Sequence, residues 1–306
     1  MKRLFACTVA LALAACLSPA RADDAALPFC APEDLTAQPI NPDGDRALRL
    51  ATAAGWEAEG AQANSFEKLQ LGSFYRLGRS HPAALLERDT AKARALLAHA
   101  ALGGQLTAMA ASAELELENG DPMAGMVWAQ LYAHYMQRQF PTRFRAYQAD
   151  LLRRAFDALP RGDRTAQEIE AQTGGFLATY GAQIDAALVP GGDDGGGPAP
   201  DCRPVHEVYT TQLELDQPRV PLAGGRNTVN RYRMYEPGLA LYKLHVSPSG
   251  EVVRAMVVES LPGPAAGKGL MRSVMRLRFN AVDEDAPIRV VLLPMSFDDH
   301  SVKFRD

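Results

Sequence analysis

The residues of this chain that could do chemistry are few, and their spacing defeats each familiar site. His206-Glu207 opens the H-E-x-x-H pattern, in which two histidines one helical turn apart hold zinc and the glutamate acts as base. The second histidine would stand at position 210, where the chain has Thr210. Gly267-Lys268-Gly269 has the glycine and lysine of a phosphate-cradling loop. The upstream glycine position is Pro262, however, and no Ser or Thr follows the lysine. No G-x-S-x-G elbow occurs. Glu114, Glu116 and Glu118 alternate along a segment that reads as helix and are expected to face solvent. Asp193-Asp194 lie among glycines, where no rigid frame would hold a metal, and the six histidines are scattered. The expectation is therefore a chain without catalytic residues, metal or cofactor, one that is not an enzyme and acts by holding other molecules.

Export sets the context for the cysteines. Lys2-Arg3 precede an apolar run over residues 4–17, and Ala20-Arg21-Ala22 places small residues where a signal peptidase reads. Residues 1–22 thus read as a signal peptide, with a mature chain starting at Asp23. Leu13-Ala14-Ala15-Cys16 supports a second reading, a lipobox whose Cys16 is lipidated and becomes the first residue. The apolar run is shorter than the ~20 residues of a membrane span, and no later segment approaches that length. The expected location is the periplasm or, with Cys16 lipidated, a membrane surface facing it. Simple cleavage leaves Cys30 and Cys202, an even pair in an oxidising compartment, which reads as a disulfide or as two unpaired thiols. A bridge would tie the start of the mature chain to the segment after the hinge described below. No C-x-x-C spacing occurs.

Composition is that of a globular chain, 47% hydrophobic and 22% charged over 306 residues. Loss of Lys2, Arg3 and Arg21 leaves 29 basic residues against 36 acidic ones, a net of −7. That balance argues against a nucleic-acid partner, which selects a strongly basic face.

Any function must then come from the elements. Residues 23–188 read as a helical domain. Residues 64–78 carry Phe66, Leu69, Phe74 and Leu77 as one apolar stripe and end at Gly78. Residues 89–103 open on an Asp89-Thr90 cap and run through Ala93, Leu96, Leu97, Ala100 and Ala101 to Gly103-Gly104. Residues 106–119 end at Asn119-Gly120, and Asp121-Pro122 starts the next helix. A shift of 32 residues lays Asp89 on Asp121, Ala93 on Gly125, Leu96 on Trp128 and Ala100 on Tyr132. Flanking helices are expected over 45–61, 141–159 and 164–188, the last weakened by Gly174-Gly175.

Residues 189–201, VPGGDDGGGPAPD, read as a flexible linker. In residues 202–306 the pattern becomes alternating. Ala240, Tyr242, Leu244 and Val246 share one face of a strand, Pro248-Ser249-Gly250 turns it, and Val252, Met256 and Val258 continue on the returning strand. Leu270, Met271, Val274 and Leu277 recur at helical spacing, and a last strand follows over 288–297. The fold class expected is α+β in two domains, a helix-hairpin stack and a β-hairpin–helix–strand unit.

Two resemblances follow. The two helix pairs resemble Sel-one-like repeats, relatives of tetratricopeptide repeats, although an alanine-rich bundle gives the same pattern. That resemblance implies a peptide-binding groove, to which Trp128, Tyr132 and Tyr135 would belong. The hairpin turning at Ser249-Gly250, the helix ending in Leu277-Arg278-Phe279 and the final strand ending at Phe297 resemble the C-terminal domain of TonB-type periplasmic energy transducers. That family receives a short partner segment by strand addition to its last strand, which implies binding along Arg289, Val291 and Leu293. A helical body lies where the family's Pro-rich rod would be. The combined implication is an exported scaffold that binds an envelope protein or peptide, the alternative being an accessory of transport engaging an outer-membrane receptor.

Overall fold

The computed structural model describes residues 36–139, 145–188, 237–279, 281–286 and 288–297. Cys16, Cys30, Cys202 and the 189–201 linker lie outside them. Seven helices come first: α1 (Arg46–Glu59), α2 (Ser65–Leu77), α3 (Thr90–Leu102), α4 (Leu106–Glu118), α5 (Pro122–Gln139), α6 (Arg145–Asp157) and α7 (Asp163–Ala187). Strands β1 (Gly238–Val246) and β2 (Val252–Leu261), helix α8 (Pro264–Val274) and strand β3 (Arg289–Phe297) follow.

Local chemistry sets the helix ends. Asp45 accepts from the Ala47 and Leu48 amides, and Asn64 with Glu67 forms a reciprocal capping box. Asp89 and Asp121 cap α3 and α5 in the same way, each accepting at 3.0 Å from the amide three residues on. At the ends of α3 and α4, Gly104 and Gly120 take positive φ. There the Gln105 and Asp121 amides reach back to the Ala100 and Glu116 carbonyls. Consecutive helices from α2 to α6 pack on one another, and α7 folds back across α5 and α3. Ala93 and Gly125 are buried, as are Ala100 and Tyr132, and Leu96 and Trp128 sit half-buried.

The sheet is antiparallel in the order β2-β1-β3. All nine residues of β1 are buried, because both of its faces are covered. Tyr242, Leu244 and Val246 join Val257, Leu270, Val274 and Val291 in a core under α8. Leu239, Leu241, Met256, Val258 and Leu261 face the other way and join the core of the helical body. The sequence pattern foresaw the α8 face and missed the second.

Two β-bulges redistribute β2. The β1–β2 register slips at Val253 and again at Val258. Each extra residue reverses which parity of β2 faces which side. Val252 therefore lies on the α8 side, whereas Met256 and Val258 face the helices.

Candidate functional site

Two places bring functional groups together: the joint between the helical body and the sheet, and the outer edge of β3. The joint is polar. Arg76 on α2 meets Glu259 on β2 at 2.6 Å, with both side chains fully buried. Arg76 also donates to the carbonyls of Ser260 at 2.7 Å and Pro262 at 3.0 Å, while the Ser260 amide donates to the same Glu259 oxygen at 2.7 Å. Burial opposes the Arg76 charge, but Glu259 beside it outweighs that and holds its pKa above the usual value.

His81 follows α2 and is fully enclosed. Its Nδ1 accepts from the Ala83 amide at 3.0 Å, so the proton resides on Nε2, which points at the Val258 carbonyl at 3.3 Å. Burial, with Arg76 and Arg49 nearby, pushes its pKa down to about 3. His245 on β1 faces the same joint, opposite Arg254 in register. Burial together with Lys243 and Arg254 brings it down to about 4.

Residues 36–45 fill the joint's lower half. Arg49 on α1 pins them by donating to the Pro39 carbonyl at 3.0 Å and to the Ala83 carbonyl at 2.8 Å. From the sheet, Arg254 reaches Asn41 at 2.7 Å and Asp43 at 3.0 Å. Lys243 reaches Gln38 at 3.3 Å and lies over the Phe66 ring. None of Arg49, Arg76, His81, Lys243, Arg254 or Glu259 was singled out by sequence. The available signal was a lone charge inside an apolar run, as in Phe74-Tyr75-Arg76-Leu77 and Val258-Glu259-Ser260-Leu261.

The three glutamates of α4 do not share a solvent face. Glu114 is buried and bridges the Tyr147 hydroxyl at 2.7 Å and both terminal nitrogens of Arg154. Glu116, also buried, takes a two-pronged contact from Arg94 at 2.6 Å. Only Glu118 is exposed, where it meets Arg88 and the rim of Arg76. Residues two apart lie roughly 200° around a helix, so each glutamate finds its partner on a different neighbour.

The aromatic groove is also corrected. Tyr132 and Tyr135 are each only 1% exposed. Trp128 is half-buried against Phe176 of α7, with ring centroids 5.2 Å apart. Helix α7 covers Trp128 and Tyr135, and Tyr132 packs against Tyr147 of α6 with ring centroids 6.1 Å apart, so these rings line no open groove. The Gly267 stretch proves structural as well. A Cβ there would come within 3.0 Å of Val257, and the backbone exchanges hydrogen bonds with Ser260 and Tyr242. The glycine lets α8 approach the sheet.

One trio, the buried Tyr75 with the partly exposed Glu57 and Lys92, has the composition of a proton-transfer site. Tyr75 donates to Glu57 at 2.7 Å, and Lys92 contacts both. The hydrogen bond to Glu57 raises the Lys92 pKa, and burial followed by Glu57 raises that of Tyr75. Both groups are thereby held protonated, which suits neither a base nor a nucleophile. Among the described residues no three His, Cys, Asp or Glu side chains gather as metal ligands, and no helix is long and apolar enough to cross a membrane.

At the sheet's far side, β3 pairs with β1 over nine consecutive residues without a register shift. Arg289, Val291 and Leu293 all lie on β3 with their side chains buried. Anything that met this strand from outside would therefore touch its backbone. No family model, curated protein or solved structure matches the chain.

Proposed function

We propose that this is an exported, non-catalytic binding or scaffold protein of the bacterial cell envelope, and that it takes an extended partner segment by strand addition along β3. The observation that carries this reading is the difference between the sheet's two edges. β2 is broken by bulges at Val253 and Val258, a device that blunts an edge against pairing. β3 is regular from Arg289 to Phe297, and no strand lies outside it among the described residues. With α8 on one face of the sheet and helices on the other, that edge is where the sheet can grow. Main-chain hydrogen bonds would contribute about 1 kcal/mol each, and Pro294, which has no N–H, would fix where the added ladder is interrupted. In this reading the Sel-one-like body is a rigid mount for a TonB-like receiving sheet in the periplasm, and the α7-covered aromatics serve stability.

The test is site-specific photo-cross-linking in cells from Ile288, which is 44% exposed beside β3, with Val253, 50% exposed on β2, as the control. We expect adducts at Ile288 that map to one extended segment of one envelope protein and are missing at Val253. Equal adducts at the two positions, or none at Ile288, would refute strand addition at β3. An outer-membrane receptor's periplasmic segment in the adduct would select the transport form of the reading.

A further inference from the structure

We infer that the outward face of α8 is a docking surface for an anionic lipid bilayer, which it engages through Lys268 and Arg272. This goes beyond the strand-addition reading, since it concerns the outer face of the sheet and leaves the β3 edge open at the side. Its first basis is charge. Residues 260–282 carry Lys268, Arg272, Arg276 and Arg278 and no Asp or Glu, in a chain where acids outnumber bases by 36 to 32.

The second basis is where the fold places these cations. Ala266, Gly267, Leu270 and Val274 form the buried side of α8, so the opposite side looks away from the sheet. Lys268 and Arg272 stand there, both exposed, about one helical turn and about 6 Å apart along the axis. Neither joins an ion pair among the described residues. Acids gather past the end of the helix. Glu251 meets Arg278 at 3.3 Å, and the exposed Asp283, Glu284 and Asp285 follow Val282, whose amide donates to the Pro248 carbonyl at the β1–β2 turn.

Shape selects the ligand. A discrete anion is bound in a concavity where several donors converge. Lys268 and Arg272 instead stand in a row on the convex surface of a helix, with the exposed Gly269 beside them. Such a row matches a plane of repeating headgroup charges. Met275, 37% exposed toward the same side, adds an apolar side chain that can sink to the boundary between headgroups and acyl chains. Each Lys or Arg held near an anionic surface contributes about fivefold to partitioning, so the pair contributes about 25-fold.

The test is co-sedimentation of the purified protein with vesicles of phosphatidylglycerol and phosphatidylcholine in equal parts, and with vesicles of phosphatidylcholine alone. We expect binding to the first and none to the second, with the binding lost at about 1 M salt, where the screening length is about 3 Å. The Lys268→Gln/Arg272→Gln variant should partition about 25-fold more weakly. The Arg161→Gln/Arg164→Gln variant, which removes two exposed cations of the helical body, should bind like the parent. Equal binding by all three proteins, or no binding of the parent to the mixed vesicles, would overturn the inference. So would binding to phosphatidylcholine alone that salt does not weaken. Retention on immobilised polyglutamate without vesicle binding would assign the face to an acidic protein and overturn it as well.

Discussion

The Arg76–Glu259 pair makes the sharpest claim on energetics. Its two side chains are wholly out of water, and among the described residues the other acid that pairs with Arg76 is Glu118, at 3.4 Å and partly exposed. Replacing Glu259 with Leu leaves a guanidinium that cannot shed its proton and that still points at the Ser260 and Pro262 carbonyls. A buried charge stripped of its partner costs about 3–5 kcal/mol. Arg76→Met strands the carboxylate instead, with one amide donor from Ser260 remaining. A carboxylate can be neutralised where a guanidinium cannot, so Arg76→Met should cost less than Glu259→Leu. The double variant Arg76→Met/Glu259→Leu replaces a desolvated pair with apolar groups and should lie within about 1 kcal/mol of the parent. Urea unfolding of all four proteins, followed by circular dichroism, closes the double-mutant cycle. Strictly additive costs, or a Glu259→Leu cost below about 1 kcal/mol, would show that the joint is not held this way.

Two further predictions concern the helical body. Glu114→Leu leaves the buried Tyr147 hydroxyl without its acceptor while Arg154 keeps Asp150, and should cost about 1.5–3 kcal/mol, more than the about 0.5–1.5 kcal/mol of Tyr147→Phe, both read from urea midpoints. Gly174→Ala should stabilise by up to about 1 kcal/mol, since its added Cβ meets nothing within 4 Å on helix α7. Gly78→Ala should destabilise by about 1–3 kcal/mol, because φ is +56° and the Cβ would lie 2.8 Å from the Arg88 amide nitrogen. Thermal melts separate the two directions.

Most elements are legible in the sequence because their causes are local. Asn64, Asp89 and Asp121 are caps that act within three residues, and the helices they open begin where those residues imply. The turn at Ser249-Gly250 and the amphipathic run through Leu270 and Val274 are equally local. What could not be read depends on neighbours distant in the chain. Glu114 and Glu116 lie inside because Arg154, Tyr147 and Arg94 arrive from other helices. Trp128 and Tyr135 lose their groove to α7 and Tyr132 to Tyr147 of α6, neighbours that arrive from later in the chain. His81 and His245 belong to one joint although 164 positions separate them.

The bulges of β2 join these observations. A strand of strict alternation would keep one parity toward the helices along its whole length. By slipping at Val253, β2 gives that face to Arg254 and Met256, which meet residues 41–43 and the body's core. By slipping again at Val258, it places that residue's carbonyl before His81 and hands the face to Glu259 and Leu261. The irregularity that aims the joint's polar groups is thus the same irregularity that spoils β2 as a template. Deleting Val258 would remove both the carbonyl that faces His81 and one of the two irregularities of the β2 edge. The joint and the choice of edge are therefore coupled: β3 can remain the regular edge because β2 has been bent to hold the helices.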